Sequence, residues 1–181
     1  MHGLIIPKNY VKNVDTPLIF LAGPILGAPN WQDAAIEYLF SLNKYITIVS
    51  PKKEIKENIS KYILNTDPNP FSRGRHWERY YLDIASKKGT VLFWLPGEEK
   101  HKCEKSYGAM TRLEIGQFMT RYKYDKSTRF VVGTDDKFSE INTIKFDLSL
   151  DAPEKKISKT LEETCRQALE LTFYTPPKNI E

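Results

Sequence analysis

Leu18-Ile19-Phe20-Leu21-Ala22-Gly23-Pro24 decides the fold class of this chain. Five apolar residues run without interruption and stop at a glycine and a proline. A strand exposed on one face would alternate apolar with polar residues; an unbroken run predicts a strand buried on both faces, as in a parallel sheet. Downstream, Asn30 is placed to cap a helix. From Trp31, residues Ala34, Ala35, Tyr38, Leu39 and Leu42 recur at helical spacing. A second strand is predicted at 45–49, ended by Ser50-Pro51.

The pattern then repeats. Residues 50–75 are polar, without a strong period, and contain the turn-rich Asn65-Thr66-Asp67-Pro68-Asn69-Pro70. A helix is predicted from His76 to Ser86 and a third strand at 90–95. A charged loop at 96–107 leads to a helix at 109–123. Strands at 129–133 and 143–148, a helix at 157–172 and the tail Thr175-Pro176-Pro177 complete the chain. Strand and helix alternate, which predicts a mainly parallel five-stranded sheet with helices on both faces. One domain over 1–181 is expected, with a core at 17–150 and a C-terminal helix and tail at 151–181; no repeat or linker divides it.

Composition narrows the function classes. The chain has 181 residues, 40% of them hydrophobic, and a net charge of +4. Its lysines are scattered and no aromatic-basic motif accompanies them, so no nucleic-acid partner is expected. No apolar run approaches the ~20 residues that span a bilayer, so no membrane partner is expected either. Cys103 and Cys165 lie far apart and form no disulfide framework, which fits a reducing, cytoplasmic setting. His101, Cys103 and Glu104 fit no zinc spacing, and no metal is expected.

Open α/β folds build their sites at the C-terminal edge of the sheet. The segment Thr111-Arg112-Leu113-Glu114-Ile115-Gly116 follows the third strand and its loop, which brings Glu114 to that edge. Spacing alone favours an exposed helix carboxylate. Gly116 adds weight, because a mid-helix glycine costs ~1 kcal/mol and close approach of a ligand is one compensation. Gly23-Pro24-Ile25-Leu26-Gly27 can admit a ligand to backbone N–H groups, or simply turn the chain. Glu78 and Asp83, five apart, do not share a helical face, so at most one points into a cleft. Arg73 and Arg75 flank Gly74 and can grip a phosphate or sit in solvent. Asp135-Asp136 reads as a turn.

Together these pieces resemble the nucleoside 2-deoxyribosyltransferase-like family. The resemblance rests on Ile19-Phe20-Leu21-Ala22-Gly23-Pro24 with Trp31, Ser50-Pro51-Lys52, Trp77-Glu78 with Leu82, Leu92-Phe93-Trp94-Leu95, the E-x-G of Glu114-Ile115-Gly116, and Val131-Val132-Gly133. It covers about residue 18 to residue 135. It implies a flavodoxin-like three-layer α/β/α fold and double displacement at a sugar anomeric carbon. Glu114 would be the nucleophile and Glu78, or else Asp83, the acid that assists the departing base. Phe20, Gly23 and Pro24, with Trp31, Trp77, Ser106 and Gly108, would surround the nucleoside. No cofactor is implied. The partners implied are a nucleoside or nucleotide, a nucleobase, and further copies of the chain in a homo-oligomer, with Phe173-Tyr174 available to it. The chain departs from the pattern at Gly108, where relatives carry a sugar-fixing aspartate, and near Tyr81, where they carry an aspartate for the leaving base.

Three functions follow as expectations: transfer of a (2-deoxy)nucleoside sugar between bases, hydrolysis of a nucleoside 5′-monophosphate using Arg73, Arg75 and Ser106, or a non-catalytic nucleotide-binding module.

Overall fold

Alternate residues of the run at 18–22 point to opposite sides of one sheet. Leu18, Phe20 and Ala22 join one buried cluster and Ile19 and Leu21 another. The computed structural model describes residues 2–14, 17–101 and 104–174. Its strands are β1 (Gly3–Ile5), β2 (Asn9–Tyr10), β3 (Leu18–Ala22), β4 (Thr47–Val49), β5 (Asp67–Pro68), β6 (Thr90–Leu95), β7 (Phe130–Thr134) and β8 (Ile157–Ser158). Its helices are α1 (Trp31–Leu42), α2 (Glu57–Ser60), α3 (Gly74–Lys88), α4 (Ala109–Tyr124), α5 (Ile141–Asp151) and α6 (Leu161–Phe173).

Six strands form a parallel sheet in the order β1-β4-β3-β6-β7-β8; β2 and β5 make a separate antiparallel ribbon. Helices α3, α4 and α5 cover one face and α1 and α6 the other. This is the three-layer, flavodoxin-like arrangement: β4-β3-β6-β7-β8 follows the 2-1-3-4-5 order, with β1 added at one edge. The order reverses between β3 and β6, which leaves a crevice at their C-terminal ends. Each large apolar side chain buried here contributes roughly 1.5–3 kcal/mol.

The strand count is six rather than five, and two elements differ in kind. Residues 143–148 lie in α5, not in a strand. Ile144, Phe146 and Leu148 alternate, but Ile141, Ile144 and Leu148 also fall at helical spacing, and these three are buried while Phe146 is exposed. Packing on α4 selects the helical solution. The edge strand is instead β8, at residues 157–158, so the last helix starts at Leu161. Thr160 caps it by accepting from the Glu163 N–H at 3.1 Å. The other strand is β1, in the N-terminal segment.

Asn30 precedes α1 but makes no cap bond. Its amide donates to Asp33 and its carbonyl accepts from Lys52. No helix of the described residues is long and apolar enough to cross a membrane. Cys103 and the tail at 175–177 lie outside the described residues.

Candidate active site

The turn that follows β3 is shaped from below. A Cβ on Gly23 would sit 2.3 Å from the Trp94 carbonyl oxygen and 2.7 Å from the Trp31 ring, so only glycine fits. Trp31 Nε1 donates to the Pro24 carbonyl at 2.8 Å. Trp31 therefore supports the turn and does not line a pocket.

Above it opens a cleft of about 490 Å³. Phe20, Gly23 and Pro24 line one wall, with Ile25 and Leu26 beyond them. Pro51 and Glu78 contribute from β4 and α3. The opposite wall is Lys105 to Thr111 with Glu114, from the loop after β6 and the start of α4. The cleft thus sits at the C-terminal ends of β3 and β6, where the strand order reverses.

Glu114 is 8% exposed. Its Oε1 accepts a hydrogen bond from Arg75 Nη1, and the same nitrogen lies 3.2 Å from Glu78 Oε2. One guanidinium thus bridges two carboxylates on different helices. Burial raises the Glu114 carboxyl above its ordinary value, and the Glu78 charge adds to this; the Arg75 contact opposes both without cancelling them. Burial alone would depress Arg75, but its two carboxylate partners leave it raised.

The loop after β6 is tied in place. Tyr107 Oη donates to the carbonyls of Pro96 at 2.9 Å and Gly97 at 3.1 Å. Arg112 donates to the carbonyls of Tyr107 and Ser139 and lies over the Phe138 ring. Gly108 has φ +64°, in the left-handed region, and a Cβ there would lie 2.6 Å from the Phe138 ring. A side chain at 108 would have to displace the buried Phe138 ring, so the packing favours glycine there.

The remaining expectations divide. Ser106 and Gly108 line the cleft. Trp77 does not: it is fully buried in the core and donates to the Asn9 carbonyl at 2.9 Å. Asp83 faces outward, paired with Lys87 at 2.8 Å, so Glu78 is the only one of the two in the cleft. Arg73 is exposed ahead of α3 and separated in role from Arg75. Tyr81 is buried against the N-terminal segment, its hydroxyl accepting from the Val11 N–H at 2.7 Å. A Cβ on Gly116 would meet nothing within 4 Å, so that glycine marks no close approach. Leu113 is 51% exposed, outside the buried face of α4.

Asp135 acts in a turn, accepting from the N–H groups of Gly97 and Lys137. No group of three His, Cys, Asp or Glu among the described residues is placed to hold a metal. The sequence reading missed Thr111, a buried residue of the cleft wall, and the contact between Arg75 and Glu114. Thr111 carries no motif signal, and the contact joins residues 39 apart. No family model, curated protein or solved structure matches the chain.

Proposed function

We propose that this protein cleaves the N-glycosidic bond of a (2-deoxy)nucleoside and transfers the sugar to another nucleobase. The observation that carries the reading is Glu114: a nearly buried carboxylate on the wall of a nucleoside-sized cleft at the sheet's reversal point. In this scheme a Glu114 carboxylate oxygen forms a bond to the anomeric carbon as the carbon–nitrogen bond breaks. The base leaves with the electron pair and a proton. The incoming base then attacks the glycosyl ester and restores the carboxylate. Arg75 occupies only Oε1 of Glu114, which leaves Oε2 for the attack. Glu78, already within reach of Arg75, offers the guanidinium a second seat. Glu78 serves as the acid only while it carries a proton.

Incubation with a deoxynucleoside and a different free base tests this. Exchanged nucleoside is expected, with a glycosyl adduct on Glu114 by intact mass. Glu114→Ala is expected to lower the rate by about 10³-fold or more, as loss of a nucleophile does. No exchange and no adduct would refute the reading, and would favour a non-catalytic binding module.

A second reading, hydrolysis of a nucleoside 5′-monophosphate, is favoured by Lys105 and Ser106 in the cleft wall and Arg75 at its edge. It expects free base without an acceptor, dependence on the phosphate, and loss of that dependence in Arg75→Met. Arg73, outside the cleft, drops out of it. A homo-oligomer belongs to the same proposal. Ile25, Leu26 and Met110 stay about half exposed at the cleft, and Leu113 is exposed nearby. Sedimentation of Leu113→Glu against wild type tests whether a second copy covers them.

A further inference from the structure

Thr111 is 3% exposed and lines the cleft, yet its hydroxyl has no hydrogen-bond partner among the described residues. Several other buried threonines differ. Thr134 donates to the Leu95 carbonyl, Thr164 to the Thr160 carbonyl, and Thr172 to the Ala168 carbonyl, with the Thr90 hydroxyl a second partner at 2.8 Å. The usual helical outlet for a Thr111 hydroxyl, the carbonyl four residues earlier, is Tyr107, and it accepts from Arg112. Among the described residues the unpartnered side-chain atoms sealed from solvent are Asp33 Oδ1 and Ser158 Oγ, so the Thr111 hydroxyl keeps an opening to the cleft it lines, where a ligand can reach it.

Thr111 also sits at the right place for a particular partner. It precedes Glu114 by three residues, so the two share one face of α4, with Cβ atoms about 5–6 Å apart. Helical side chains lean toward the N-terminus, which carries the Glu114 carboxylate toward Thr111. The first-turn N–H groups of α4, lacking partners within the helix, also favour an oxygen there.

We propose that Thr111 is a specificity-determining residue: its hydroxyl binds one hydroxyl of the sugar whose anomeric carbon faces Glu114. The inference rests on the glycosyl-transfer reading, and it selects substrates by their pattern of ring hydroxyls.

The test uses four nucleosides with the same base: the ribonucleoside and its 2′-deoxy, 3′-deoxy and 5′-deoxy forms. Their binding to Glu114→Gln protein is measured by calorimetry, and their turnover is measured with wild type. Thr111→Val keeps the shape and removes the hydroxyl. It is expected to weaken binding and lower kcat/KM about tenfold for the nucleosides that carry the contacted hydroxyl. It is expected to leave the one lacking that hydroxyl unchanged, and Thr111→Ser should restore the difference. An equal penalty on all four, no penalty on any, or no binding by any of them overturns the inference. Turnover by wild type that is indifferent to Thr111→Val overturns it while leaving the reaction intact. Binding with the expected Thr111 dependence but without turnover overturns the reaction instead.

Discussion

Glu114 and Arg75 face each other across two helices, and their charges make opposite demands. Burial favours the neutral carboxyl; the guanidinium favours the carboxylate. Burial prevails, so the carboxyl titrates above its ordinary range. A nucleophile must be ionised, so activity falls as pH drops through that raised value. The acid limb of kcat/KM is therefore expected above the ordinary carboxylate range. Arg75→Met removes the opposing cation and should move the limb to still higher pH; a shift to lower pH would contradict the account. Stability runs the other way. The folded state holds this proton more tightly than the unfolded chain, so the stabilising contribution is present at low pH. It is lost as pH rises through the unfolded value toward the folded one. Glu114→Gln should thus melt at or above wild type at pH 7, with a smaller gain at pH 4.

In α4 and at its cap, two glycines had to be told apart. Gly116 read as a mark of ligand approach, but a Cβ there is unopposed. Gly116→Ala is expected to stabilise the protein by up to ~1 kcal/mol in denaturant titrations and leave activity unchanged. Gly108 has a real requirement: left-handed backbone and the Phe138 ring. Gly108→Ala should destabilise by roughly 1–3 kcal/mol; a neutral result would show that Phe138 yields. Neither outcome can be read from the letter G, because the distinction lies in what a distant loop places beside it. Strands β3 and β6 were legible because burial on both faces leaves an unbroken apolar run. Residues 143–148 misled because their apolar positions satisfy period 2 and period 3.6 together, and only the neighbouring α4 decides between them.

At the scale of the molecule, the parallel sheet followed from the alternation of strand and helix, while its flavodoxin-like strand order was implied only by the resemblance. Glu114 was placed at the sheet's C-terminal edge by that alternation; Glu78 was preferred to Asp83 only through the resemblance. What stayed hidden was pairing across sequence: Arg75 with Glu114, and the N-terminal segment with α3. Val11 and Lys12 meet Tyr81 and Tyr80, and Asn9 meets Trp77, near 70 residues away. Replacement of residues 9–12 by glycine and serine is expected to weaken Arg75- and Glu78-dependent activity more than it lowers the melting temperature, since β1, with its buried Leu4 and Ile5, stays paired in the sheet. Equal losses in both would show that the segment merely stabilises.

Those long-range contacts carry a kinetic consequence. Closing loops of this length costs conformational entropy before any contact is gained, so residues 9–12 dock late and open early. An opening of this segment uncovers the inner face of α3 without melting the sheet. The helix that carries Arg75 and Glu78 then exchanges its amide hydrogens on the timescale of that opening, well before the sheet does.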